Sequence, residues 1–168
     1  MKNKGFTLIE MVVVIVILGI LAVTAAPRFM NLQSDARIAT LDGFLGAFKA
    51  ADEIIIGKAM IYGIEAAPYK TLVPSTDVYI EAGHINLHPD NIKNAMDAND
   101  FKLFTLNKAD SNSDLKSVFI YQADRDLTFE ELRTKNCFVH ISTSASSQDG
   151  DDVVYIGGLH FRKFYDGC

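Results

Sequence analysis

At 168 residues the chain holds one ordinary domain's worth of sequence, with room for a single sizeable core. Sixteen Lys and Arg against 21 Asp and Glu give a formal net charge of −5, with no basic run long enough to form a phosphate-binding patch. This argues against nucleic-acid binding by the chain itself. Apolar residues make up 49% of the chain, a normal share, but they are concentrated in its first 26 positions.

The N terminus begins with a short basic head, Met1 to Gly5, carrying Lys2 and Lys4. Residues 6–26 follow as FTLIEMVVVIVILGILAVTAA, with Glu10 their one charge, and Pro27 comes next. As a helix this stretch would rise about 31 Å, the thickness of a bilayer hydrocarbon core. The β-branched run Val12 to Ile17 favours a strand in water. In lipid the backbone must satisfy its own hydrogen bonds, and a helix wins. Lys2 and Lys4 hold the N terminus on the cytoplasmic side and send the rest across.

Three readings compete for this segment. A cleaved signal peptide has a small-residue site at Thr24-Ala25-Ala26, but Pro27 would follow the cut and the apolar run is long. A plain single-pass anchor explains the length and the lysines but gives Glu10 no role. A charge at membrane depth costs about 2.5–3.5 kcal/mol on insertion scales, so it calls for a function and a partner. The bland account of Glu10 is a carboxylate that snorkels to the nearby interface. The third reading comes from the residues themselves. Gly5-Phe6-Thr7-Leu8-Ile9-Glu10, followed by the long apolar run, resembles the N terminus of type IV prepilins and the related pseudopilins.

That resemblance implies cleavage between Gly5 and Phe6 by a membrane prepilin peptidase, which also N-methylates Phe6. Glycine before the cut suits close approach to the backbone. The new Phe6 ammonium would pair with Glu10 of a neighbouring subunit and fix its register, because a mispaired subunit would bury an unpartnered charge. Gly19 and Pro27 bracket the weakest part of the helix, since proline lacks an N–H and clashes with the carbonyl of Val23. They mark either a hinge that loosens in a filament or a simple kink.

Beyond Pro27 the apolar residues become periodic. Ile38, Leu41, Leu45, Phe48, Ile55, Ala59 and Tyr62 recur at helical spacings, and Gly43, Gly46 and Gly57 weaken the helix locally. One helix is expected from about Phe6 to about Tyr62. Residues 63–115 are broken by Gly63, Pro68, Pro74, Gly83 and Pro89. A short strand at Val78–Ile80 and a short helix from Pro89 to Ala98 are expected there. His84 and His88, near Asp90, would bind metal only on a shared helix face, and Pro89 argues for a loop with surface histidines.

Residues 117–165 read as β, with strands at Ser117–Ala123, Cys137–Thr143, Val153–Gly157 and His160–Tyr165. Gly157-Gly158 suits a tight hairpin between the last two. His140 and His160 fall in strand patterns and read as structural. Asp149, Asp151 and Asp152 around Gly150 read either as a Ca²⁺ site or as a solvated acidic turn. Cys137 and Cys168 are the two cysteines, an even count that in an exported chain points to one disulfide; two buried thiols is the alternative. The bond would contribute about 3–4 kcal/mol in the chain-entropy model.

The expected fold is α+β and type IV pilin-like: a long N-terminal helix packed on a C-terminal antiparallel sheet. The expected divisions are a leader at 1–5, a membrane and filament-core helix at 6–27, and an amphipathic half-helix plus globular head at 28–168. Residues 12–37 resemble most closely the mannose-sensitive haemagglutinin (MSHA) branch of the family. This implies a non-enzymatic subunit without cofactor. It would sit in the inner membrane as a precursor, then in a surface filament of a Gram-negative bacterium for adhesion and biofilm formation. The implied partners are copies of itself, the prepilin peptidase, the pilus assembly machinery and a carbohydrate receptor. The alternatives are a pseudopilin of a type II secretion system and an anchored periplasmic enzyme or sensor. No nucleotide loop, nucleophile elbow or zinc-hydrolase motif is present.

Overall fold

The computed structural model describes residues 5–106, 117–143, 148–149, 152–153 and 158–168. They fall into two compact units, Met1–Arg37 and Ile38–Cys168. Helix α1, Leu8–Ile61, begins in the first and ends in the second.

In the first unit α1 is a single-element structure. Leu8–Ala26 has a mean hydropathy of 2.8 and none of it is buried. The helix runs without a break through Gly19 and Pro27. One turn before Pro27, the Thr24 hydroxyl donates to the Leu21 carbonyl at 3.0 Å. Such back-bonding lets a hydroxyl sit in an apolar helix without an unmet donor.

In the second unit α1 is one wall of the core. Leu41, Phe44, Leu45, Phe48, Ala51, Ile55 and Ala59 are buried on one face. Ile38 is half-buried and Tyr62 exposed, so the expected stripe is shorter at both ends and gains Phe44 and Ala51. The helix stops in a Schellman turn: Ile64 N–H donates to the Ala59 carbonyl and Gly63 N–H to that of Met60. Gly63 takes a φ of +67°, a conformation that suits glycine.

Next comes a small antiparallel meander, β1 (Thr71–Leu72), β2 (Tyr79–Glu81) and β3 (His84–Ile85), then helix α2 (Pro89–Ala95). The expected strand at 78–80 and the helix starting at Pro89 are both present, each shifted or shortened slightly. Buried Asn91 ties them together: its amide donates to the carbonyls of Tyr79 and Asn86 and accepts from Tyr79 N–H.

The main sheet has four antiparallel strands in the order β4 (Lys102–Phe104), β5 (Ser117–Tyr121), β6 (Phe138–Thr143) and β9 (Leu159–Phe164). Its inner face contributes Val118, Ile120, Val139 and Ile141 to the core shared with α1. One expectation for this region is corrected. Residues 117–165 are not all β, because helix α3 (Phe129–Lys135) lies between β5 and β6. It covers the sheet's outer face, where Leu127 and Leu132 pack with Phe119, Tyr121 and Phe138 in a second cluster. The hairpin expected between Val153–Gly157 and His160–Tyr165 falls largely outside the described residues. The short β8 (Asp152–Val153) pairs with β7 (Gln148–Asp149), while β9 pairs with β6 over six residues. That longer pairing buries Ile141 beside Phe161 and closes the second edge of β6.

Thr128 and Glu131 cap α3 reciprocally, the hydroxyl taking the Glu131 N–H and the carboxylate taking the Thr128 N–H. The Arg125 guanidinium, then the Thr128 N–H and hydroxyl, pull the Glu131 pKa from its usual 4.5 down to about 2. A depressed carboxylate contributes stability that is fully present above 4.5 and is lost as pH falls toward 2. Glu131→Gln is therefore expected to flatten acid unfolding across that window. An acid titration followed by circular dichroism checks this.

The C terminus is latched beneath α3. Asn136, in the left-handed region at φ 49°, accepts from Gly167 N–H at 3.0 Å. Cys137 and Cys168 are joined in a disulfide, their Cα atoms 4.7 Å apart. Next to it, the Tyr165 hydroxyl donates to Asp42 of α1 at 2.6 Å and Lys163 pairs with the same carboxylate. Hydrogen bonds from Lys163 and Tyr165 hold Asp42 below the ordinary aspartate range. Burial and the bond to Asp42 push Tyr165 up.

Candidate assembly interface

Gly5 and Phe6 precede α1 and are exposed, Phe6 at 86%. Gly5 has open space around it, with nothing within 4 Å of where a Cβ would stand. A sequence-specific peptidase would meet an unobstructed backbone here.

Glu10 sits in the first turn of α1, and Thr7 caps that turn. The Thr7 N–H and hydroxyl donate to Glu10 Oε2 at 2.8 and 2.7 Å, and the Glu10 N–H donates to the Thr7 hydroxyl at 3.3 Å. This is a capping box, Thr-x-x-Glu, and it satisfies donors that a helix start leaves open. The expectation for Glu10 missed Thr7, although the spacing is visible in the sequence. Both residues lie on the C-terminal side of the Gly5–Phe6 bond, so cutting that bond leaves the box whole. Both bonds to the carboxylate use Oε2, which leaves Oε1 to accept from an incoming ammonium.

The second half of α1 carries a stripe that the sequence reading did not find. Gly43, Ala47, Ala50, Ile54, Gly57 and Ile61 are all exposed, on the face opposite the core. Their spacing alternates four and three, so they stay in line along the helix. Ile54 is 70% and Ile61 80% exposed, which is unusual for isoleucines on a folded head. Gly43, Gly46 and Gly57 have nothing within 4 Å of a would-be Cβ. Among the described residues nothing therefore requires glycine there. Gly43→Ala is expected to stabilise the subunit by about 0.5–1 kcal/mol, since alanine is the better helix former. A thermal melt in detergent checks this.

The other candidate sites gain less. His84 lies on β3, where its Nδ1 is 2.8 Å from Asp52 of α1. Asp52 is buried, and its second oxygen accepts from Ile85 N–H at 2.7 Å, so the pair fastens the meander to the helix. His88 caps α2, its Nδ1 accepting from Asp90 N–H. The two histidines thus have separate structural roles and share no helix face. Among the described residues no group of three or more His, Cys, Asp or Glu could hold a metal. Asp151 and the side chains of Asp149 and Asp152 lie outside the described residues, and the calcium expectation with them. His140 stacks on Phe119 with ring centroids 4.4 Å apart, and burial followed by the nearby Arg162 pushes its pKa down.

The family described as "Prokaryotic N-terminal methylation motif" matches residues 1–26. The type IV narrow pilus major component PilA5 of Thermus thermophilus is 49% identical over 51 residues, 30% of this chain and 44% of that one. The type IV major alpha-pilin of Moraxella bovis is 38% identical over 70 residues, 40% of this chain and 44% of that one. The type II secretion system core protein G of Pseudomonas aeruginosa is 44% identical over 50 residues, 30% of this chain and 35% of that one. The chain spans less than half the length of these curated relatives. No solved structure matches it.

Proposed function

We propose that this chain, a type IV pilin/prepilin-family protein, is a non-catalytic structural subunit that is cut after Gly5, N-methylated on Phe6 and polymerised through α1. The observation that carries the reading is α1 itself. Among the described residues Leu8–Ala26 is unburied, and in the second unit the stripe from Gly43 to Ile61 is exposed as well. Small residues let helix backbones approach closely, and the flanking isoleucines supply apolar area. A contact of this kind is heterologous, and repeated copies extend into an open helix. The membrane holds residues 6–27 before assembly, and neighbouring subunits replace the lipid afterwards.

Glu10 supports the same reading. Its Thr7 bonds hold the carboxylate in place, and a neighbour's Phe6 ammonium completes its coordination. Gly19 and Pro27 are the positions where the helix would loosen under load. These roles belong to the assembled state.

The test uses Ala50→Glu, which places a charge on the stripe of an otherwise unchanged head. The expected result is a subunit that still forms its disulfide and still inserts, yet yields no filament by electron microscopy. Normal filaments from that variant would remove α1's outer face from the contact.

Similarity to core protein G of a type II secretion system favours a second reading, a pseudopilin. Deleting the gene and assaying exoprotein secretion separates the two: loss of secretion with no loss of surface filaments would favour the pseudopilin. Within the pilus reading, the resemblance of residues 12–37 to the MSHA branch supports a role in adhesion and biofilm formation through a carbohydrate receptor. Surface attachment of the deletion strain, with and without mannose, tests that role.

A further inference from the structure

The four-stranded sheet is electrically lopsided. Strands β5, β6 and β9 carry no carboxylate, yet β6 and β9 carry His140, His160, Arg162 and Lys163. The register pairs Phe119 with His140 and His140 with Arg162, so these three side chains share the outer face. Lys163 points the other way and is held by Asp42. Arg162 is exposed and enters no ion pair among the described residues.

The opposite corner of the sheet is acidic. Lys102 pairs with Tyr121 across β4 and β5, which brings the start of one beside the end of the other. Asp97 and Asp100 lead into β4, Asp124 follows β5, and all three are exposed. The cations closest in sequence are already engaged, Lys102 with Asp126 and Arg125 with Glu131. Lys93 lines the groove beside β4 and offsets one charge, which leaves the corner net acidic. Asp100 and Asp124 enter no ion pair among the described residues.

In the strand order β4-β5-β6-β9 the acidic and basic features therefore sit at opposite edges. A self-complementary pair of patches at opposite edges joins copies head to tail, which suits a growing filament and not a closed dimer. We infer that the β9 edge of one subunit docks on the β4 corner of the next, with Arg162 meeting Asp100 and Asp124 of a second copy of this chain. This contact rests on the polymerisation reading above. It adds a heterologous junction between neighbouring globular domains, set by charge, to the packing of α1.

The competing partner for Arg162 is internal: Asp149, Asp151 and Asp152 lie in the segment that joins β6 to β9. The test is built to separate the two. The full-length chain is expressed with its assembly machinery as Arg162→Glu, as Asp100→Lys with Asp124→Lys, and as all three together. Each half-reversal is expected to cut sheared filament by about tenfold, because it sets like charges against each other. The triple reversal restores opposite charges and is expected to recover most of the yield. In parallel, Arg162→Cys with Asp124→Cys should give a ladder of covalent oligomers on oxidation, which neither single cysteine gives. This second readout needs no charge reversal and keeps the contact testable if Arg162→Glu misfolds. The contact is overturned by full yield from Arg162→Glu, by a triple reversal no better than its halves, or by filaments without the ladder. A melting temperature lowered by Arg162→Glu alone would assign Arg162 to its own chain, and would overturn it too. If the wild-type chain makes no filament or pseudopilus at all, the polymerisation reading fails and this contact fails with it. Filaments indifferent to these charges remove only the head contact.

Discussion

Glu10→Gln is expected to abolish filaments while leaving the subunit folded and in the membrane. Glutamine at the third helical position still accepts from Thr7, so the capping box survives in large part. What disappears is the negative charge that would meet a neighbour's Phe6 ammonium. Removing one member of a buried pair costs about 3–5 kcal/mol, because the other is left charged and unpartnered. In a polymer that penalty recurs at every subunit. Glu10→Val removes the capping acceptor as well, which weakens the helix start further. Electron microscopy of sheared surface material and membrane fractionation of the same cells measure the two effects apart. If Glu10→Gln subunits assemble normally, Glu10 serves only its own helix start.

Gly167→Ala is expected to open the C-terminal latch and to cost about 2–4 kcal/mol. A Cβ at position 167 would fall inside the Lys135 carbonyl oxygen, which is backbone at the end of α3 and cannot swing aside. To make room, the tail must leave Asn136, straining the Gly167 N–H bond to the Asn136 carbonyl beside the Cys137–Cys168 disulfide. Loss of the disulfide itself costs about 3–4 kcal/mol on the chain-entropy account. The contrast with Gly43 is instructive, because the same substitution there meets nothing and should stabilise. Urea unfolding of both variants in detergent checks the opposite signs. Equal midpoints for wild type and Gly167→Ala would show that the tail is not held as tightly as the structure places it.

The long helix was legible because its signals are local and repeated. Twenty-one residues with one charge, followed by apolar residues at helical spacing, leave few alternatives. The two cysteines were legible because an even pair in an exported chain has few uses. Helix α3 was missed although Thr128 and Glu131 carry the Thr-x-x-Glu spacing that starts it. A seven-residue helix between two strands is too short to show a clear helical period in its apolar residues. The pairing of β9 with β6 was not legible because a strand's partner is chosen by residues distant in sequence, whereas Gly157-Gly158 is only a local turn signal. The stripe on α1 went unseen for a different reason. Gly43 and Gly57 weaken a helix when judged by propensity, and their alignment with Ala47, Ala50, Ile54 and Ile61 matters only once the opposite face is known to be the core.

The central claim, that α1 is released by processing after Gly5 to enter a polymer, is tested most directly by the intact mass of the chain. The chain is recovered from membranes of cells with and without a prepilin peptidase. The account predicts loss of Met1–Gly5 and gain of one methyl group, both only when the peptidase is present. A chain that keeps Met1–Gly5 in both cells, or one cut near Ala26, would contradict it.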